Sequence, residues 1–363
     1  MAWLESYGCA TAAGDSPASL YGALIAGKDF SAPFSKNSSV KALEFQNRGD
    51  GSVFDILIDK LLISYKGVNP HLRRHEKFGV ILSSTKGRSD DLVWGELDPW
   101  VQSDPLTPIL TEFLKRCELI PARSVCVSNA CSSSLAAISL AEKWMQQDCS
   151  QVLIVAADAV TPFVVRGFQA LKLISSEGSK PFSGDRSGFF LGDGAACLLL
   201  SRERGCSNLM LHKVGLDSEG SAVTRPSTSG ESLRRAALRI PRLLDLKPEI
   251  LIAHGTGTRI NDETEDLAFS ALFPEEHRPV ITCTKWCIGH TLAVSGALDL
   301  IAAVESLRAQ KIFRLMTTDL ADAKFLGRYL TKDARTPEKF SRVMISSLGF
   351  GGMHASALVE LVT

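Results

Sequence analysis

The stretch from Val125 to Trp144, VCVSNACSSSLAAISLAEKW, constrains the fold more than any other part of the sequence. Its first three residues are apolar and predict the end of a buried strand, and Asn129–Cys131 predicts a tight turn. From Ser132 onward, small residues predict the first turns of a helix. A cysteine at this junction would face open space, and the positive end of the helix dipole would lower the pKa of its thiol.

Cys131 is therefore a candidate nucleophile. The common alternative is a small core residue, because free cysteine is among the most buried residue types. Among the other eight cysteines, Cys283 and Cys287 lie close together, but no second pair of cysteines or histidines stands where it would complete a zinc site. The odd number of cysteines and the apolar runs around several of them predict a reducing compartment without a disulfide framework.

The charge balance and hydropathy exclude several classes of function. The 363 residues include 40 basic and 40 acidic side chains, so no overall charge favours nucleic acid or an anionic membrane surface. Basic patches at Arg73–Arg74 and along one predicted helix (Arg234, Arg235, Arg239 and Arg242) are interpreted by default as solvated faces. No apolar run approaches the ~20 residues that span a bilayer, and the first ten residues lack a signal-peptide pattern. We expect a soluble, cytoplasmic protein.

Apolar strands alternate with helices along most of the chain, which predicts an α/β architecture with a buried sheet. The predicted strands cover 2–12, 78–84, 125–127, 151–159, 195–201, 208–217, 249–254, 280–284, 312–318, 342–347 and 355–362. The predicted helices cover 18–26, 53–65, 108–119, 132–144, 231–245, 263–273 and 291–308. Residues 28–52 and 85–104 show no clear pattern.

Two of these helices, the one after Cys131 and the one after His290, resemble each other. Both begin with small residues and are apolar on most faces, so both should be buried, and their starts lie close to half the chain length apart. The pattern suggests two similar halves around a central layer of helices. Small residues on ordinary core helices would give the same pattern.

Further residues with catalytic potential stand where predicted strands end, which is where α/β proteins bind ligands. His254 begins the segment HGTGT, and KWCIGHT contains Lys285 and His290. The segment Gly349–Gly352, GFGG, predicts a flexible loop between two strands. Two histidines could manage protons for a cysteine nucleophile, and backbone N–H groups could hold an oxyanion.

Each of these features alone has an ordinary structural explanation. A histidine at a strand end is more often structural than catalytic, and a glycine-rich loop is most often only a turn. Asp262 and Glu265, one turn apart at a helix start, would usually form a solvated first turn. Their joint occurrence is what favours a catalytic site.

Five segments, in this order and approximate spacing, resemble the signature motifs of the β-ketoacyl-acyl carrier protein synthases, including the ketosynthase domains of polyketide synthases. They are NACSSSLAA, PFSGDRSGFFLGDGAACLLL, AHGTGTRINDETE, TKWCIGHTLAVSGA and SSLGFGGMHAS. The resemblance is good from about Val125 to the C-terminus and loose over the first 35 residues.

The resemblance implies a thiolase-like fold of five layers, α-β-α-β-α, made of two related halves over residues 1–205 and 206–363. It implies that Cys131 accepts the acyl chain, that His254 and His290 are catalytic, and that Lys285 and Glu265 support them. Asp262 is a further supporting candidate. Phe350 would be the gating aromatic of the glycine loop, between Gly349 and Gly351.

The implied activity is that of an acyltransferase that carries out a decarboxylative Claisen condensation in fatty acid or polyketide biosynthesis. Cys131 would take an acyl chain from carrier protein or coenzyme A, and a malonyl-carrier protein would then extend it by two carbons. The resemblance implies no metal or organic cofactor. It implies acyl and malonyl carrier proteins as partners and a dimer, either with itself or with a second ketosynthase-like chain.

Some residues separate the chain from near relatives. Thiolases use a second cysteine in the C-terminal glycine loop, which GFGGMHAS lacks, and initiating synthases and chalcone synthases carry Asn where this chain has His290. Other residues depart from the elongating synthases: Met353–His354 replaces Thr-Asn, Leu348 replaces Phe, Ser183 and Ser187 replace Asp, and the region 36–130 is shorter. A partner subunit of the chain-length-factor kind, which does not itself elongate, is therefore the alternative, although such partners usually lose the nucleophile.

Overall fold

The computed structural model of the chain describes residues 1–34, 40–45, 51–89, 104–220, 223–224 and 226–362. The predicted irregular stretches 28–52 and 85–104 lie partly outside the described residues, and residues 36–39, 46–50 and 90–103 of the shortened region 36–130 lie outside them. Within the described ranges, no helix combines the length and the apolar character needed to cross a bilayer. All nine cysteines are free.

The chain forms a mixed α/β structure, as predicted. Its strands are β1 Ala2–Thr11, β2 Ala32–Pro33, β3 Lys41–Leu43, β4 Phe78–Ser83, β5 Arg123–Val127, β6 Gln151–Asp158, β7 Leu191–Gly192, β8 Gly194–Ser201, β9 Leu209–Leu211, β10 Gly215–Ser218, β11 Ile250–Ile252, β12 Val280–Thr282, β13 Arg328–Tyr329, β14 Arg342–Gly349 and β15 Met353–Leu361. Its α-helices are α1 Pro17–Ala26, α2 Val53–Lys66, α3 Thr107–Arg116, α4 Ser133–Gln147, α5 Pro162–Ala170, α6 Glu231–Leu238, α7 Leu243–Leu246, α8 Arg259–Leu272, α9 Lys285–Ile288 and α10 Ser295–Ala309. Short 3-10 turns cover Asn69–His71, Glu275–His277 and Leu292–Val294.

The main strands divide into two groups with the same topology. In the first, β5 and β6 flank β4 in parallel, and β8 and β1 continue the sheet antiparallel. In the second, β12 and β14 flank β11 in parallel, and β15 and β9 continue it antiparallel. When the five strands of each group are numbered by their order in the chain, both sheets have the spatial order 3-2-4-5-1. Strand β9 also pairs with β1, and this pairing joins the two sheets. The structure therefore confirms two related halves. The boundary predicted at residue 205 falls in the connection between β8 and β9.

Helices α4 and α10 follow the third strand of their halves and pack against each other in the central layer. The backbone N–H of Ala297 in α10 donates to Ser134 Oγ in α4 at 3.0 Å. Gly296 allows this close approach, because an added Cβ would lie 2.8 Å from Leu135 Cγ. Helices α2 and α3 cover the outer face of the first sheet, and α6 and α8 cover the second, which gives the five layers.

Three of the predicted elements are not formed as expected. The predicted helix 231–245 is divided into α6 and α7, because Pro241 has no N–H donor and Arg242 takes a left-handed conformation with φ 59°. Residues 312–318 form no strand but an irregular segment with a single bridge, Leu315 to Thr331. Their apolar side chains reflect burial in the core and not strand pairing. The predicted strand 208–217 is two short strands.

The close packing of α4 against α10 should make the central layer sensitive to volume at Gly296. We expect Gly296→Ala to lower the free energy of unfolding by about 1–3 kcal/mol, because overpacking forces neighbouring side chains to shift. Gly22 in α1 has open space at its Cβ position, so Gly22→Ala should raise stability by about 0.5–1 kcal/mol. Urea denaturation measures both. Equal effects of the two substitutions would contradict the close helix contact.

Candidate active site

Cys131 lies between β5 and α4 in a turn with an unusual backbone conformation. Ala130 has φ 47°, a region that non-glycine residues rarely adopt. The hydroxyl of Ser132 donates to the carbonyl of Asn129 at 2.9 Å and closes the turn. From the other half, Ser347 Oγ in β14 donates to the carbonyl of Cys131 at 2.9 Å. The predicted tight turn is therefore present and is fixed by both halves.

The side chain of Cys131 is more deeply buried than the sequence predicted, with only 4% of the residue exposed. Burial raises the pKa of its thiol to about 12, so the expectation of a lowered pKa is wrong for the chain without substrate. The positive charge of Lys285 and the backbone N–H groups of Phe350 and Cys131 act in the opposite direction. Loss of hydration outweighs them, because burial disfavours the charged thiolate. The proton must therefore leave as the sulfur reacts.

The two predicted histidines converge on this sulfur. His254 follows β11, and His290 follows α9, so both come from the second half while Cys131 comes from the first. One ligand atom of each of the three side chains lies within 4.8 Å of the others. The imidazole rings are nearly perpendicular, with centroids 5.3 Å apart. The structure thus brings together three residues that are up to 159 positions apart in the sequence.

The ring proton of His290 is fixed by the backbone. The N–H of Leu292 donates to His290 Nδ1 at 2.9 Å. A nitrogen that accepts a hydrogen bond carries no proton, so in the neutral ring the proton lies on Nε2. His290 is therefore a hydrogen-bond donor through Nε2. In contrast, Nδ1 of His254 is buried and has no hydrogen-bond partner among the described residues.

Both imidazoles are neutral at physiological pH. Burial, with a smaller contribution from the positive charge of Lys285, lowers the pKa of His290 to about 3. Burial and the charge of Lys285 likewise hold the pKa of His254 well below its usual range. A neutral imidazole can donate a hydrogen bond to a developing oxyanion without giving up its proton too early.

Lys285 lies behind the histidines and is 1% exposed. Its ammonium is 3.4 Å from Asp299 Oδ2, and Thr284 Oγ1 donates to Asp299 Oδ1 at 2.5 Å. Burial raises the pKa of Asp299, and the Lys285 charge opposes that shift. Asp299 is not among the site residues predicted from the sequence. Its signal was a lone carboxylate near the start of an apolar helix, which has to find a buried partner.

Glu265 and Asp262 are fully buried, so the alternative of a solvated first turn does not hold. The carboxylate of Glu265 accepts the N–H groups of His254 and Gly255, both at 2.7 Å. Asp262 accepts the N–H of Phe182 at 2.7 Å. Burial raises the pKa of Asp262 to about 7, and it also raises the pKa of Glu265. Neither carboxylate lines the site cavity, so they fix the loop that carries His254.

The glycine loop lies beside Cys131, and Gly349 and Phe350 both line the cavity around the sulfur. Gly351 does not; its N–H donates to the carbonyl of Val223 at 2.6 Å. After the loop, the buried His354 places Nε2 3.2 Å from Glu219 Oε1. The angles between these two groups do not satisfy the geometry of a hydrogen bond. The loop is therefore tied to the segment that follows β10.

Two cavities meet at Cys131 and Phe350. The first, of about 340 Å³, contains polar and cationic groups as well as both histidines. The second, of about 660 Å³, is mostly apolar; its lining includes Phe163, Val164 and Leu171, beside the polar Thr85 and Lys86. The ring of Phe350 lies 5.6 Å from that of Phe168, and both rings stand where the cavities meet. The arrangement separates a polar approach from an apolar one.

Cys131, His254 and His290 are close enough to share a transition-metal ion, since zinc sites use thiolate and imidazole ligands. Two features of the site act against a bound cation. The positive charge of Lys285 disfavours further positive charge at both histidines, and the Cys131 thiol resists deprotonation. The three groups suit nucleophilic chemistry better than metal binding.

The fold and the buried Cys-His-His cluster define a protein of the thiolase-like class. Two solved structures share this fold over the full chain. The ishigamide ketosynthase/chain length factor has a TM-score of 0.85 and 18% sequence identity, and the match covers 100% of this chain and 99% of that one. A β-ketoacyl synthase from Burkholderia phymatum has a TM-score of 0.85 and 22% identity, with coverage of 100% and 99%. The two family profiles that match are Beta-ketoacyl synthase, N-terminal domain, over residues 119–205, and Beta-ketoacyl synthase, C-terminal domain, over 210–319. The chain belongs to the β-ketoacyl synthase family.

Curated relatives resemble the chain at lower coverage. A putative polyketide beta-ketoacyl synthase 1 of Streptomyces cyaneus is 28% identical over 64% of this chain and 59% of its own length. A 3-oxoacyl-[acyl-carrier-protein] synthase homolog of Saccharomyces cerevisiae is 28% identical over 64% and 58%. A highly reducing polyketide synthase of Penicillium expansum is 28% identical over 65% of this chain but only 11% of its own length. The chain thus spans less than two thirds of each of these relatives.

The low pKa of His290 predicts how stability depends on pH. Because its folded-state pKa of about 3 lies below the ordinary 6.5, the unfolded chain binds more protons between these values. Stability therefore falls as the pH drops through this window, at most by about 1.4 kcal/mol per pH unit from this group. In His290→Asn the loss should be less steep. Urea unfolding at about pH 7, 6 and 5 measures the difference; parallel slopes would contradict the lowered pKa.

Proposed function

We propose that the chain is an elongating β-ketoacyl-acyl carrier protein synthase, an acyltransferase that condenses a Cys131-bound acyl chain with malonyl-carrier protein. The observation that carries this proposal is the convergence of Cys131, His254 and His290, with the His290 proton fixed on Nε2. All three groups are uncharged before substrate enters. Such a site can form a thioester and then stabilise an enolate without protonating it.

In the first half-reaction, the Cys131 sulfur attacks the thioester carbonyl of an acyl-carrier protein. The S–C bond to the carrier breaks, the carrier leaves as a thiol with the proton given up by Cys131, and an acyl-Cys131 thioester forms. The N–H groups of Cys131 and Phe350, which face the sulfur, would hold the oxyanion of the tetrahedral intermediate.

In the second half-reaction, malonyl-carrier protein enters, and its thioester carbonyl accepts hydrogen bonds from His254 and His290. The bond to the carboxylate breaks, carbon dioxide leaves, and its electron pair remains as an enolate held by the two imidazoles. The enolate carbon attacks the acyl-Cys131 carbonyl, which forms the new C–C bond and releases the sulfur. Proton uptake restores the thiol, and the product is a β-ketoacyl-carrier protein two carbons longer.

The two cavities fit the two substrates of this scheme. The apolar cavity offers aliphatic and aromatic contacts to an acyl chain attached to Cys131. The cavity with both histidines also contains the hydroxyl-bearing Thr256 and Thr258 and the exposed cations Lys172 and Arg259. Such groups suit the polar, phosphate-bearing arm of a carrier protein. The arginines of the predicted basic helix are already occupied, because they pair with Asp217, Glu231 or Asp245.

A dimer fits the same proposal. Strand β5 ends the first sheet, and among the described residues it pairs only with β4. An open strand edge is a ready place for a strand of a second chain. The partner would be a second copy or a related ketosynthase-like chain, and the dimer would place its interface directly before the Cys131 turn.

The alternative is a partner subunit that does not itself elongate. Two of the solved structures with the same fold contain a ketosynthase and a chain length factor: the ishigamide ketosynthase/chain length factor and the pair from Xenorhabdus doucetiae (TM-score 0.83, 21% identity). The present chain retains the cysteine and both histidines in one cluster, which favours the enzyme. A partner protein would have no need of an acyl-accepting sulfur.

Intact-mass spectrometry separates the two functions. We expect incubation with acyl-carrier protein to add one acyl group, and malonyl-carrier protein then to remove it as β-ketoacyl-carrier protein forms. Cys131→Ala should abolish the adduct, whereas Cys126→Ala, on the preceding strand, should retain it. An adduct that never turns over would indicate a missing partner subunit or a lost second half-reaction. No adduct on the folded, unaltered chain would contradict the nucleophile assignment and favour the partner role.

A further inference from the structure

The turn that fixes the His290 proton has a costly conformation. Leu292 has φ 52°, a left-handed conformation that costs a leucine of the order of 1–2 kcal/mol. In this conformation its N–H points back to His290 Nδ1. Backbone strain of this kind persists only where surrounding groups enforce it.

The enforcing groups come from the other half of the fold. The next residue, Ala293, donates its N–H to Asp158 Oδ2 at 3.0 Å and to Thr85 Oγ1 at 3.1 Å. Asp158 ends β6, and Thr85 follows β4 by two residues. The turn after His290 is thus held by two side chains at the ends of neighbouring parallel strands.

Asp158 is itself fixed by several donors. It is 1% exposed, and it accepts the hydroxyl of Ser84 at 2.8 Å, the N–H of Thr85 at 2.9 Å and the hydroxyl of Thr85 at 2.5 Å. Both carboxylate oxygens therefore receive hydrogen bonds. The Thr85 hydroxyl gives its proton to Asp158, so its oxygen is free to accept the Ala293 N–H.

The charge of Asp158 opposes the nucleophile. It raises the pKa of the Cys131 thiol, as burial does, and so makes the thiolate harder to form. A buried carboxylate that hinders the nucleophile needs another role. Its hydrogen bond to the N–H of Ala293, in the turn after His290, indicates that this role concerns the histidine.

We propose that Asp158 and Thr85 are positioning residues for His290. They hold the strained turn from the other half of the fold, and this keeps the ring proton of His290 on Nε2, where it can stabilise the enolate. The inference about catalysis rests on the proposed condensation. The inference about the proton does not, because the tautomer can be measured without substrate.

The first test reads the tautomer. Histidine labelled with ¹⁵N reports by NMR which ring nitrogen carries the proton, and His290→Asn assigns the signal. We expect the unaltered chain to show the Nε2–H form and Thr85→Val to populate the Nδ1–H form. Val keeps the shape of Thr but lacks the hydroxyl, whereas Thr85→Ser retains the hydroxyl and should restore the Nε2–H form. An unchanged tautomer in Thr85→Val and in Asp158→Asn would overturn the proposal.

The second test compares the histidine and cysteine steps. Misplacing His290 should slow decarboxylation of malonyl-carrier protein about 10- to 100-fold in Thr85→Val and in Asp158→Asn. Alkylation of Cys131 by iodoacetamide, followed across pH by peptide mass mapping, should be unchanged in Thr85→Val. In Asp158→Asn its midpoint should move to lower pH, because a negative charge near the thiol is lost.

Opposite effects of Asp158→Asn on the two steps are the result that a merely structural role would not produce. Slower decarboxylation together with slower alkylation would overturn the proposal. If Asp158→Asn does not fold, Thr85→Val and Thr85→Ser carry the test. If the unaltered chain shows the Nε2–H form but no condensation, the proposed function fails, and the tautomer of the variants alone decides the positioning role.

Discussion

The packing of α4 against α10 is the contact on which the rest of the structure depends. Each helix follows the third strand of its half, so the turn before each helix opens at the same place relative to its sheet. When the two helices pack through Ser134 and Gly296, the Cys131 turn and the His290 turn are brought to one point. The meeting of Cys131 and His290 is therefore a consequence of the pseudo-symmetry of the fold, with one side chain contributed by each copy of the same junction.

Burial then sets the protonation states. Two sheets and the glycine loop remove water from Cys131, His254 and His290, which keeps the thiol protonated and the imidazoles neutral. The positive charge of Lys285 acts on all three groups, and Asp299 pairs with it within the central layer. An isolated charge would be costly at this depth, and the ion pair with Asp299 offsets the cost of burying the Lys285 ammonium.

Much of the fold was predictable from local patterns. Ser16 caps α1, Gly27 ends it in a left-handed conformation, and the alternation of strands and helices gave the α/β class. The motifs that resemble the synthases indicated the two halves, which apolar helices alone left open. Apolar residues at 312–318 gave a wrong strand, because single side chains can enter a core without any strand pairing. Local periodicity does not distinguish a paired strand from an irregular segment whose apolar side chains enter the core.

The residues of the cluster were candidates from their places at predicted strand ends, and the resemblance then gave them roles, whereas their electrostatics were not predicted correctly. The expected effect of the helix dipole on the Cys131 thiol is local, but the largest effect on its pKa is burial, which depends on how both halves pack around the sulfur. Asp158, Thr85 and Asp299 escaped notice because their partners lie in other elements.

The charges around the cluster act differently on the cysteine and on the two histidines. Lys285 favours the Cys131 thiolate and at the same time disfavours the charged forms of His254 and His290. In the proposed reaction, one cation would therefore assist both the nucleophile and the groups that bind the enolate. Asp158 disfavours the thiolate while its hydrogen bonds hold the turn after His290. A site tuned for the nucleophile alone would omit that carboxylate. In the proposed condensation, this carboxylate would serve the step that depends on His290, at a cost to the thiolate of Cys131.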